Sequence, residues 1–183
     1  MIRAAALALA LSIAPIQAQR LSDAASVAAF NKRAVSDGDY GLVCPAGNAV
    51  ELPAPGTHLG VIKQREGWQR IEYTTQTIPM VKGIGFGVEA APLRNLTGVQ
   101  VTVFHPPYPG TDVTEESWIS DFNTDAQNLS FFTFEFPFEM VQGRWAIQAT
   151  HLGSTLYSVE FDVVPASKYP NVDGLCAGPA QIS

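Results

Sequence analysis

The chain is poor in charge and in reactive side chains. Of 183 residues only 11 are Lys or Arg, against 17 Asp or Glu, and the cations form no run. A sequence this acidic, with no basic cluster, lacks the electrostatic footprint that binding nucleic acid or an anionic membrane surface demands. There are three histidines, His58, His105 and His151, far apart and each beside a turn. Without His-x-His or His-Glu-x-x-His spacing they read as isolated surface residues rather than metal ligands. Asp112, Glu115, Glu116, Asp121 and Asp125 crowd one stretch. They lack the alternating ligands and central glycine of a calcium loop, so a solvated acidic loop is expected. No Gly-x-Ser-x-Gly elbow or Cys–His signature is present. Gly83-x-Gly85-x-Gly87 lies inside a strand pattern, not between a strand and a helix, and fails as a nucleotide motif. No cofactor is implied. Carboxylate pairs drawn from Glu115/Glu116 and Glu135/Glu139 would serve glycoside hydrolysis only at a set separation, which sequence alone does not fix.

Cysteine is scarce too. Cys44 and Cys176 have no Cys-x-x-Cys spacing and no neighbouring histidine, so a redox or metal-binding pair is not indicated. In an oxidising compartment such a pair bridges, here tying the first strand region to the C-terminal tail. Closing so long a loop stabilises by about 4–5 kcal/mol on the chain-entropy model.

Long apolar runs are absent after Ile16. Before it, Arg3 precedes an uncharged apolar stretch from Ala4, and Ala18 offers a small residue for cleavage. The stretch falls short of the roughly 20 residues a membrane span needs, so residues 1–18 read as a secretory signal peptide. No cysteine follows the cleavage point to carry a lipid. Removing 1–18 takes away Arg3 and no acid, leaving ten cations against 17 carboxylates, a charge of −7. The expectation is a periplasmic or secreted protein with no membrane insertion once the signal is removed. The remaining 165 residues suit one domain with a real core.

What the chain does have is alternation. Phe132, Phe134, Phe136 and Phe138 recur at every second position, as do Trp145, Ile147 and Ala149, then Tyr157, Val159, Phe161 and Val163. That period places side chains on one face of a pleated strand, one face wet and one dry. Gln142-Gly143 and Leu152-Gly153 cut the three runs. Further strands are expected at 39–43, near 59–62, over 68–78 with Pro79 as its stop, at 83–90 and over 99–103. The side-chain-free face of Gly85 and Gly87 would admit another backbone or a ligand. Residues 105–127 form the longest irregular piece, within which Trp118, Ser120 and Phe122 allow a short edge strand. Residues 20–34 are alanine-rich and allow a short helix or a flexible segment. Turn signals recur too often for βαβ units. The pattern predicts an all-β protein, an antiparallel two-sheet sandwich of immunoglobulin-like type, with a small closed barrel as the alternative. Its divisions are a signal peptide (1–18), a helical or flexible segment (19–37), a sandwich (38–165) and a tail tethered by the disulfide (166–183).

The motifs Asp39-Tyr40-Gly41-Leu42, Thr75-Gln76-Thr77-Ile78-Pro79, Gly83-Ile84-Gly85-Phe86-Gly87-Val88, His105-Pro106-Pro107, Phe138-Glu139-Met140-Val141-Gln142-Gly143-Arg144-Trp145 and Val159-Glu160-Phe161-Asp162-Val163 follow in a familiar order. Their order resembles an uncharacterised bacterial family of exported proteins, a domain of unknown function, over roughly residues 38–164. The resemblance implies export and an all-β fold and brings no catalytic residues. Cys44, Cys176 and residues 166–183 lie outside its pattern.

Function is then expected to be recognition, not catalysis. Trp145 alternates in phase with Ile147 and belongs to the core. Trp68, Tyr108 and Trp118, if exposed, would form a stacking platform for sugar or an anchor for a protein partner. The expectation is a binding or structural module of the bacterial envelope, its partner an envelope protein met through loop 105–127. Carbohydrate or small-ligand binding through the aromatics is the alternative, and a hydrolase using the loop carboxylates is a third.

Overall fold

The computed structural model describes residues 27–170 and 172–176. The expected signal peptide lies outside them. The strands, in chain order, are β1 (Ala28–Phe30), β2 (Val35–Val43), β3 (Ala49–Pro53), β4 (Val61–Arg65), β5 (Ile71–Thr74), β6 (Thr77–Met80), β7 (Gly85–Pro92), β8 (Leu96–Phe104), β9 (Glu115–Phe122), β10 (Leu129–Thr133), β11 (Gly143–His151) and β12 (Ser154–Pro165). One sheet runs β1-β12-β11-β8-β9, with β6 parallel to β12; the other runs β10-β7-β2-β5; β3 and β4 form a separate hairpin. All strand pairs but β6–β12 are antiparallel.

The alternating residues meet between the sheets. Trp145, Ile147 and Ala149 of β11, Tyr157, Val159, Phe161 and Val163 of β12, and Val99, Val101 and Val103 of β8 are buried against Leu42, Phe86 and Val88 of the facing sheet. Phe86 lies at the centre, 4.9 Å from the Phe161 ring and edge-on to Trp145 at 5.6 Å. Such offset and edge contacts are favoured aromatic arrangements and add to the area buried. The Trp145 indole N–H donates to the Val141 carbonyl at 2.9 Å, so the buried ring leaves no orphaned donor.

Cys44 and Cys176 are bridged, with Cα atoms 5.4 Å apart across a separation of 132 residues. The side-chain-free face of β7 is used by another backbone. A Cβ on Gly87 would meet Phe131 Cβ at 2.6 Å and the Ser130 carbonyl at 2.7 Å, so β10 lies where a side chain would stand.

Four expectations are corrected. In the 20–34 segment, Ala28–Phe30 is a strand on β12, Ala28 opposite Val159, and not a helix. A weak helical pattern yields there to edge pairing and to the packing of Phe30 on Tyr40 and Tyr157. Pro79 does not stop a strand: it is buried within β6, an edge strand that tolerates a missing N–H. The phenylalanine run is not one strand, since β10 ends at Thr133 and a 3₁₀ turn spans Pro137–Glu139. Pro137 fixes its own φ and offers no N–H to a ladder, and the Glu139 carboxylate takes the Glu135 and Phe136 N–H groups at 2.6 and 2.8 Å. Finally, Pro53, which with Pro55 and Gly56 reads from the sequence as a turn-rich loop, instead ends a strand, β3.

Candidate binding cleft

β9 and β10 are successive in the chain but belong to different sheets. Each ends its sheet: among the described residues β9 pairs only with β8, and β10 only with β7. The turn between them is held by Asn128, whose side-chain N–H groups donate to the Asn123 and Ala126 carbonyls at 2.9 Å while its oxygen accepts the Asn123 N–H at 2.7 Å. The sandwich is therefore open along one side, between two strand edges.

The β3–β4 hairpin lies across this opening. At its tip the Ser117 N–H donates to the Gly56 carbonyl at 2.9 Å, and the His58 N–H donates to Glu116 Oε2 at 2.7 Å. Only glycine allows that approach, because a Cβ at position 56 would meet Ser117 Oγ at 2.6 Å and its carbonyl at 2.7 Å. At the other side Lys63 and Arg65 of β4 both pair with Glu135, Arg65 at 3.3 Å, and the Lys63 ammonium stands 5.8 Å from the Phe136 ring centroid. Two strand edges and a bridging hairpin enclose a cleft of about 540 Å³. Its walls are mixed: Leu52, Ile62, Trp118, Phe131 and Phe136 supply apolar surface, and five carboxylates, Glu116 and Glu139 among them, line it beside Lys63 and Arg65.

Behind Glu116 lies a stack of rings. His105 is 5% exposed and Tyr108 1%; their rings are parallel at 4.0 Å, and Trp145 closes on His105 at 4.9 Å. His58 and Phe138 meet Tyr108 edge-on at 5.7 and 5.2 Å. The surface-histidine expectation therefore fails for His105, and His58 and His105 come to the same tyrosine. His105 Nδ1 bonds the Pro106 carbonyl at 2.8 Å, which leaves Nε2 without a partner. Burial, opposed by that bond and by the Glu116 charge, holds the imidazole below its usual 6.5 and so neutral. The Tyr108 hydroxyl is pushed far above 10 by burial and by the nearby Glu116 carboxylate. Burial likewise raises Glu139, against the two backbone N–H groups it accepts. Among the described residues no group of three or more His, Cys, Asp or Glu is placed to hold a metal ion.

Of the residues singled out in the sequence, Trp68 and Trp118 come to this one cleft, from 50 residues apart. Trp68 is 74% exposed at its rim. Tyr108 does not join them, since proline-rich 105–110 folds it inward under β9's start, where it serves packing. Glu116, expected in a solvated acidic loop, is instead buried on β9, a position that the Trp118, Ser120, Phe122 alternation reaches when extended by two. The hairpin and Glu139 carried no such signal.

An all-β sandwich of this order, open at one edge, falls in the immunoglobulin-like class. A crystal structure of an immunoglobulin-like protein from Pseudomonas aeruginosa is similar, with a TM-score of 0.51 and 17% identity over 70% of this chain and 92% of that one. That likeness speaks for the fold alone. The chain belongs to the family described as domain of unknown function DUF3859, whose model matches residues 31–163. Comparison with curated proteins gave no match.

Proposed function

We propose that the protein is a non-catalytic binding module of the bacterial cell envelope that seats an extended segment of a partner polypeptide in the cleft under the β3–β4 hairpin. The observation that carries this reading is the pair of neighbouring strand edges, β9 and β10, facing one cleft of mixed apolar and polar lining. An unpaired edge offers backbone N–H and C=O groups to an added strand, and alternate pockets then read its side chains. Ile119 stands 65% exposed on β9 beside that edge. The buried neutral His105 and Tyr108 support the packing of the cleft floor and call for no catalytic role.

A photo-crosslinking residue at Ile119 tests it, with one at Lys168, beyond the opposite edge of the same sheet, as control. In native envelope extract the Ile119 probe is expected to give a saturable polypeptide adduct, weakened at least tenfold by Trp118→Ala, and the Lys168 probe none. Equal labelling at both positions would sink the reading. Glycan binding is favoured by one observation, that Trp68 and Trp118 line the same cleft. A tryptophan fluorescence change on titration with envelope glycans, absent in Trp118→Ala and without any polypeptide adduct, would transfer the site to sugar.

A further inference from the structure

Five arginines lie among the described residues. Arg65, Arg70 and Arg144 pair with carboxylates of Glu135, Glu72 and Glu160 at 3.3, 2.8 and 2.9 Å. Arg33 and Arg94 form no ion pair among the described residues, and these two line the same groove. The groove, about 370 Å³, opens at the end of the sandwich where the β1–β2, β7–β8 and β11–β12 turns meet. That end is remote from the cleft's hairpin and the disulfide, which follow the far end of β2. His151 is the third basic side chain on its wall, and no carboxylate lines it. In a chain of net charge −6 this is a local inversion of sign. Sequence could not show it, because positions 33, 94 and 151 are brought together only by three separate turns, two of them crossing between the sheets.

The rest of the lining is apolar. Leu96 and Leu156 are buried at its floor, while Leu93 and Leu152 stand exposed at its mouth, Leu152 at 90%. Leu152 also has φ +48°, a left-handed backbone that disfavours a leucine. The left-handed backbone serves the two-residue β11–β12 turn, but the exposed leucine side chain, beside two guanidinium groups without an ion pair among the described residues, is no part of the core. It does complement a ligand with an anionic head and an apolar chain. A guanidinium fork matches phosphate geometry, and its charge-assisted bonds are the strong ones.

We propose that this groove is a binding site for a phosphate-bearing amphiphile, its head between Arg33 and Arg94 and its acyl chain over Leu93 and Leu152. Two sources share that chemistry, a free amphiphile and a phospholipid in a bilayer. The test uses dodecyl phosphate below its micelle concentration, vesicles of phosphatidylglycerol, vesicles of phosphatidylcholine and inorganic phosphate, with the full mature protein and the double variant Arg33→Gln/Arg94→Gln. Because neither arginine forms an ion pair among the described residues, the variant should melt with the wild type, which the same preparation checks. Dodecyl phosphate binding that falls at least about tenfold in the variant, and with rising salt, supports a free amphiphile. Binding to phosphatidylglycerol vesicles alone, lost in the variant, supports the bilayer as source. Leu152→Asn should weaken either several-fold while leaving inorganic phosphate unchanged. No binding of either probe, or binding equal in wild type and double variant, would overturn the proposal.

Discussion

His105 shows what burial does to one titratable side chain. Held between Tyr108 and Trp145, with Nδ1 on the Pro106 carbonyl, its pKa lies below the ordinary 6.5. Below about pH 6.5 the unfolded chain takes up a proton that the folded ring resists, so this group withdraws stability as the pH falls from there. Glu139 acts in the opposite sense: burial raises it, so its contribution declines as the pH rises above its ordinary 4.5. A His105→Phe variant isolates the first effect. Its melting temperature should fall less than that of the wild type between pH 7.5 and 5.5, the difference growing toward the acid side; parallel curves would show that the ring titrates normally. The same residue marks where sequence reading stopped. His58 and His105 are 47 positions apart, and nothing in their spacing said that both would meet Tyr108. Conversely the fate of Trp145 was legible, because alternation with Ile147 and Ala149 settles which face it takes.

The hairpin is the element on which the cleft depends. Among the described residues β3 and β4 pair only with each other, so the hairpin stays in place through side attachments: Gly56 to Ser117, His58 to Glu116 and to the Tyr108 and Phe138 rings, and Lys63 with Arg65 to Glu135. Part-exposed ion pairs contribute little singly, but here two cations share one carboxylate. Glu135→Gln together with Gly56→Ala should release it. Amide exchange over 49–65 is then expected to quicken at least tenfold while β11 and β12 stay protected, and the melting temperature should move by only a few degrees. Uniformly faster exchange would mean that the hairpin is part of the core's cooperative unit. Elements with strict alternation were legible in the sequence for a physical reason: one buried face forces period two. The hairpin buries neither face fully, so no period marks it; proline at 53 and 55 hid β3, while β4 was expected in part, near 59–62. Pro79 misled in the reverse sense, since edge position decided its tolerance and edges are a property of the assembled sheet.

At the level of the whole molecule, the fold class followed from counting alternating runs and turns, and the resemblance over 38–164 agrees with the family match over 31–163. The groove at Arg33 and Arg94 was invisible for the same reason that the stack at Tyr108 was: both are assembled from separate turns. The bridge between Cys44 and Cys176 spans nearly all of the described chain. Replacing both cysteines with serine should cost about 4 kcal/mol and lower the melting temperature by about 10 °C, with the cleft's ligand binding intact. A shift under 2 °C would place the tail's contribution elsewhere.

β12 has one more consequence. The last strand to emerge during synthesis, it sits inside its sheet, with β11 on one side and β1 and β6 on the other. β1 and β6 thus wait unpartnered, and β11 with one edge open, for a single late arrival, and the staple at Cys176 comes later still. A nascent chain halted before Ser154 cannot close this sheet at all. The topology delays commitment until almost all of the described chain has been made.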